Sequence, residues 1–181
     1  MPLYDVRDGG ADDLQYDNEF WRFSLAVYEQ VDVAQECLAL QQAIGVDVNL
    51  LLFCAWVGTH AIALSRAEIE EASNTVAAWH EHVVRPLRGA RKQVKMLHRD
   101  DFESFRTKVK GIELEAEQIE QAILFGHSKR IKSARTIIDC RDAIAQNVKI
   151  YIASMSGALT ARASELSAPH LVVTAERFKQ S

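Results

Sequence analysis

Apolar side chains recur along most of this chain at the spacing of amphipathic helices, and one stretch departs by being apolar on every side. From Leu50 to Val57 there is no polar side chain, and the run carries on past Gly58 to Leu64. A strand rarely extends so far, so residues 47–64 predict a helix that is hydrophobic nearly all round. Asn49, Thr59 and His60 interrupt the stretch, and its unbroken apolar part falls short of the ~20 residues that span a bilayer. The reading is a core helix wrapped by other helices, with each buried Leu or Phe contributing roughly 1.5–3 kcal/mol.

The flanking patterns supply the wrapping. Asp17 can cap a first helix, roughly 18–30, whose Phe20, Phe23 and Val27 lie beside Trp21, Leu25 and Tyr28. Asp32 with Gln35 makes a capping-box pattern for a second helix with the seam Val33, Cys37, Leu40, Ile44. Gly45 sits where a left-handed residue ends a helix, and Asp47 follows as cap of the core helix. Ser65 with Glu68 is a further capping box. It opens a seam through Ile69, Ala72, Val76, Trp79 or His80, Val83, Leu87, Ala90, Val94 and Leu97. That seam passes Pro86 without a slip, which predicts a kink there rather than a break.

Asp100 and Glu103 are placed to cap a return helix. Its seam, Phe102, Phe105, Val109, Ile112, Ala116, Ile119 and Ile123, keeps a seven-residue repeat. The turn at His98–Asp101 leaves room only for an antiparallel neighbour, and Gly126 is placed to stop the helix. A further helix over 129–157 carries Ile131, Ala134, Ile137, Ile138, Ile144, Val148 and Ile152.

These elements predict an all-α fold: a compact bundle of about six helices around the central helix 47–64, with a long antiparallel hairpin, 66–97 against 101–125. Residues 1–16, rich in Asp and Gly, read as a flexible acidic lead-in, and 17–157 as a single helical domain. The tail 158–181, with Pro169 and the short run Leu171–Val173, reads as a loosely docked helix or a disordered end. A chain of 181 residues suffices for one domain with a sizeable core. The net charge of −4 argues against nucleic acid as a partner. Cys37, Cys54 and Cys140 form no CxxC pair and read as reduced, buried thiols. The N-terminus lacks the basic and apolar regions of a secretory signal, so a cytoplasmic location and no membrane association are expected.

Candidate chemistry is sparse. Arg85, Arg88, Lys92, Lys95 and Arg99 share one edge of the hairpin's first arm, with Arg91 just off it. Arginine presents a planar fork suited to carboxylates and phosphates. The return helix offers Glu113, Glu117 and Glu120, each one step past a seam position. The sequence favours ion pairing between the two arms. The alternative is an anion site built from Arg85, Arg88, Arg91 and Lys95, with Trp79, His80, Glu113 and Glu117 nearby.

His80 and His82, two apart, point to different sides of a helix, and neither Glu-x-x-His nor HExxH occurs. No metal site and no cofactor are therefore expected; a metal held by His80 or His82 with Glu113 and Glu117 is the weaker alternative. Asp47 reads as a helix cap, the alternative being that this helix N-terminus, with Asn49 and nearby Arg side chains, receives an anion; His60 reads as a buried, hydrogen-bonded imidazole. Lys129, Arg130, Lys132 and Arg135 read as a solvated helix start, with no aromatic interleaved for base stacking. A P-loop, GxGxxG, GxSxG and CxxC are all missing, so no catalytic residue is nominated and the favoured reading is non-catalytic.

The block FWRFSLAVYEQVDVAQECLALQQAIGVDVNLLLFCAW, Phe20 to Trp56, resembles a proteobacterial family known as domain of unknown function 2390. The resemblance continues through Trp79, VVRPLRGAR (Val83–Arg91), Lys95 and ELEAE (Glu113–Glu117), and covers about residues 18–124. The family pattern has Arg after the Trp79 position, where this chain has His80. The resemblance implies a small helical bacterial protein and carries no activity, substrate or catalytic residue. On the sequence, the favoured function is a non-catalytic binding or adaptor protein acting through helix–helix contacts, with a protein partner or self-association through the hairpin. The alternative is a binding protein or an enzyme that holds a phosphate- or carboxylate-bearing small molecule between helices.

Overall fold

A computed structural model describes residues 14–131, 139–155 and 166–180. Its helices are α1 (Glu19–Tyr28), α2 (Val31–Ile44), α3 (Val48–Thr59), α4 (Arg66–Trp79), α5 (Arg85–Met96), α6 (Glu103–Ser128), α7 (Cys140–Met155) and α8 (Pro169–Gln180). The architecture is all-α, and every residue of α3 is buried. Around it close Phe20 and Phe23 of α1, Ile69 of α4, Leu124 of α6, Ile144 and Ile152 of α7 and Leu171 of α8. No helix among the described residues is long and apolar enough to cross a membrane.

The core helix is shorter than 47–64. It stops at Thr59, whose hydroxyl donates back to the Trp56 carbonyl at 2.6 Å. Ala61 then takes a left-handed φ of 56°. Asn147 of α7 holds the chain beyond: its amide donates to the Cys54 and Ile62 carbonyls at 3.2 and 2.9 Å, and its oxygen accepts the Leu64 N–H at 2.7 Å. A carboxamide from another helix thus takes up backbone groups that a longer helix would have satisfied itself.

Caps follow the sequence at three places. Gly45 takes φ 70° after α2, Asp47 accepts the Asn49 N–H at 2.9 Å, and Ser65 with Glu68 forms a reciprocal capping box. Elsewhere they shift. Asn18 rather than Asp17 caps α1, while Asp17 pairs with Arg22. The second helix begins at Val31, so Asp32 lies in its first turn and makes no box with Gln35. Asp100–Phe102 forms a 3-10 turn ahead of α6 in place of a side-chain cap.

At Pro86 the rod neither breaks nor keeps its phase. His80–Val84 form a π turn joining α4 to α5, in which the Arg85 N–H reaches the His80 carbonyl five residues back. Proline lacks an N–H and crowds the preceding turn, and the wider turn absorbs both problems with one extra residue. The inward stripe therefore advances from Val76 to Val84 rather than to the expected Val83.

The return helix differs more. Phe105 and Ile112, expected on the seam, are 58% and 51% exposed, whereas Glu113 and Glu120 are 5% and 0% exposed. The inward stripe of α6 runs Val109, Glu113, Ala116, Glu120, Leu124, His127. Gly126 does not stop the helix, which reaches Ser128. The seventh helix starts at Cys140, and Ile131 precedes it outside any helix. Ala134, Ile137 and Ile138, the basic residues Lys132 and Arg135, and the lead-in up to Asp13 lie outside the described residues.

The end of the chain packs as part of the core. Leu171 and Ala175 of α8 are fully buried, Phe178 meets Phe23 edge-on with ring centroids 5.3 Å apart, and Glu36 of α2 accepts the His170 and Leu171 N–H groups at 3.2 and 2.9 Å. A carboxylate from a distant helix caps α8, which is a stabilising placement at a helix N-terminus.

Candidate functional site

Two buried glutamates on an inward stripe need partners, because an uncompensated charge there costs several kcal/mol. The hairpin's first arm and the start of α3 supply them. Arg91 forks onto both oxygens of Glu113, with Nη2 to Oε1 at 3.1 Å, and Arg88 donates to Glu113 at 3.4 Å and to Glu117 at 2.7 Å. Burial raises the Glu117 carboxyl, with Arg88 opposing. The Trp79 indole N–H donates to the Ala116 carbonyl at 2.9 Å and ties the two arms together just above.

Glu120 meets a different set. His80 Nδ1 lies 2.9 Å from Glu120 Oε1 and 3.2 Å from Asp47 Oδ2. The other oxygen of Glu120 accepts from the Asn49 amide at 2.6 Å, and Asn49 in turn accepts from Gln121 at 2.8 Å. Three separate elements therefore converge: the N-cap of α3, the π turn and the inward face of α6. Among the described residues, Asp47, His80 and Glu120 are the group of three whose potential metal-ligand atoms all lie within 4.8 Å of one another.

Burial, and then the charge of Glu120, push the Asp47 carboxyl well above the usual carboxylate range. Burial lowers the His80 imidazole, yet the hydrogen bond to Glu120 and the charges of Asp47 and Glu120 outweigh it, so His80 holds its proton more firmly than a free histidine. The cluster is thus a place where protons or a cation must balance two buried carboxylates.

A cavity of about 590 Å³ opens beside it. Asp47, His80 and Tyr151 line it, together with Arg85, Arg88 and Lys92. The Tyr151 hydroxyl accepts the Asp47 N–H at 2.9 Å, which fixes the backbone at the cavity wall. Arg85 is paired with the exposed Glu81 one turn earlier.

The sequence's candidates thus fall into three groups. Arg88, Arg91, Glu113 and Glu117 form the inter-arm ion network, and Trp79 braces it. Arg85, Arg88 and His80 border the cavity. Lys95 does not join them; it lines a separate cavity of about 160 Å³ near the hairpin turn, with His98 and Arg106. The carboxylates that meet His80 are Asp47 and Glu120, not Glu113 and Glu117.

Sequence reading passed over Asp47, Asn49 and Glu120 as a set. Asp47 reads from sequence as a cap, and Asn49 as an interruption or as part of an anion-receiving helix N-terminus; neither is joined to Glu120. One signal was present: a polar Asn inside the most apolar stretch must find a buried partner.

The fold and these contacts define an all-α protein with a polar, charge-bearing centre enclosed between helices. A family model described as "Protein of unknown function (DUF2390)" matches residues 19–124, and the chain belongs to that family. No curated protein and no solved structure matches it.

Proposed function

We propose that this protein binds a small anionic molecule, bearing a carboxylate or phosphate, in the cavity between α2, α4, α5 and α7. The observation that carries this reading is the pairing of a protonatable floor, Asp47 and His80, with a wall of Arg85, Arg88 and Lys92 around one 590 Å³ space. Arg88 is already engaged by two glutamates. The recruiting charges are therefore Arg85, whose partner Glu81 is half exposed, and Lys92, which has no ion pair among the described residues. His80 presents its imidazole at the inner end.

A thermal-shift screen with inorganic phosphate, pyrophosphate and a panel of di- and tricarboxylates tests it. An anion that stabilises the chain should do so about 10–100-fold more weakly in the double variant Arg85→Ala/Lys92→Ala. A panel without a single shift, or a shift that survives the double variant, removes the reading.

One observation favours a second reading, self-association through the hairpin. The α5 helix buries no side chain fully, and Met96, Leu97, Phe105 and Ile112 are 66%, 59%, 58% and 51% exposed. Phe105 and Ile112, seven apart, share a face that a second copy could cover. Light scattering that reports a monomer at all concentrations excludes it.

A further inference from the structure

We propose that Asp47, His80 and Glu120 hold one divalent transition-metal cation, of the Mn²⁺ to Zn²⁺ class, at the inner end of the cavity. The spacing of the donors is the first ground. A cation about 2.0–2.2 Å from each of two adjacent donors sets them about 3.0–3.5 Å apart. His80 Nδ1 stands 2.9 Å from Glu120 Oε1 and 3.2 Å from Asp47 Oδ2, which are edges of such a polyhedron to within small adjustments.

Donor type is the second ground. One imidazole nitrogen with two carboxylate oxygens suits Mn²⁺, Fe²⁺ or Zn²⁺, whereas Ca²⁺ asks for six to eight oxygens. The third is the supporting shell. Each carboxylate's remaining oxygen is already fixed: Asp47 Oδ1 by the Asn49 N–H at 2.9 Å, and Glu120 Oε2 by the Asn49 amide at 2.6 Å. Gln121 steadies Asn49 in turn, and its own Oε1 is buried without a partner. Metal ligands held from behind in this way keep their orientation and affinity.

Two buried carboxylates around one imidazole carry surplus negative charge that a dication neutralises. Asp47 and His80 both line the cavity, so the open coordination positions face it, where water or a ligand oxygen can enter. The cation deepens the anion-binding reading, since it would anchor the same ligand, but it is tested with metal alone.

The competing occupant is a set of protons, because the same distances suit hydrogen bonds. The full chain, freed of metal with a chelator, is titrated with Mn²⁺, read by loss of the free-ion resonance, and with Zn²⁺, read by calorimetry. One equivalent should bind. Glu120→Gln, which still accepts from Asn49, and Asp47→Asn, which still caps α3, should each weaken binding more than about 100-fold while keeping the helical circular dichroism. The electron spin-echo modulation of Mn²⁺ on the wild-type chain should show one coupled imidazole nitrogen, a readout that stands even if a variant misfolds.

No stoichiometric binding, binding unchanged in either variant, or no nitrogen coupling overturns the site. A chain that takes up Mn²⁺ but no anion keeps this site and loses the anion reading. An anion bound equally well with chelator present, to a chain that takes up no metal, does the reverse.

Discussion

Replacing Gly58 by alanine sets two effects of opposite sign against each other. Alanine is favoured over glycine inside a helix by about 1 kcal/mol. At Gly58, however, an added Cβ would lie 2.6 Å from both Cα and N of Ile144 and 2.9 Å from its Cγ1. Two of those three atoms are backbone of α7 and cannot rotate away. Restoring an ordinary carbon contact of about 3.5–4.0 Å requires the two helices to part by about 1 Å. That movement strains the Asn147 bonds to Cys54, Ile62 and Leu64 and loosens Ile144 against the core.

Overpacking of this kind costs about 1–3 kcal/mol, and more where backbone must move. Set against the propensity gain, the net expectation is a loss of about 2 kcal/mol, or about 4–8 °C in Tm for a chain of this size. Urea and thermal unfolding measure it, with Gly111→Ala as control. Apart from its chain neighbours and the nearby backbone of its own helix, no atom of the described residues lies within 4 Å of a Cβ at Gly111, so that variant should gain up to about 1 kcal/mol. If Gly58→Ala proves as stable as the wild type, or rises with its control, the close approach of α3 and α7 is wrong.

Asn147→Ala should cost about 3 kcal/mol in urea unfolding, since it strips the Leu64 N–H and two carbonyls of their buried partner; a loss below about 1 kcal/mol would mean those groups find another partner. Glu113→Gln should cost about 1–3 kcal/mol, the upper part of the range for breaking a buried pair being reduced because Arg91 is partly exposed. A change indistinguishable from zero would show the inter-arm network to be solvent-screened. His127 is buried against α4 and its imidazole is held below the usual histidine range, chiefly by burial. The unfolded chain therefore takes the proton first, so its contribution is full above about pH 6.5 and is lost as the pH falls below that value. Urea midpoints of His127→Gln should show a shallower decline than wild type between about pH 6.5 and 5, and parallel profiles would refute the assignment.

Much of the fold could be read from local pattern alone. The all-round apolar stretch at Leu50–Val57, the left-handed Gly45, the Asp47 cap and the Ser65–Glu68 box each depend on residues within a few positions of one another, and each is where the pattern put it. The paired arms of the hairpin followed from two long seams and a short turn. Periodicity failed where the ladder itself changed. A π turn at His80–Val84 moved the inward stripe by one residue, and nothing but the crowding at Pro86 hinted at it.

The site was the least legible part. Arg88, Arg91, Glu113 and Glu117 could be anticipated as neighbours because antiparallel arms bring them together. The centre could not. Asp47, Asn49, His80 and Glu120 come from three elements far apart in sequence, and α8 owes its cap to Glu36 on α2. Hydrophobic spacing says which side chains are inside but assumes that charged ones are not. Burying Glu113 and Glu120 becomes affordable only when arginines and a histidine on another helix meet them. That compensation is a property of three-dimensional packing, so tertiary structure alone decided which carboxylates turned inward, while the chain's own pattern determined the helices that carry them.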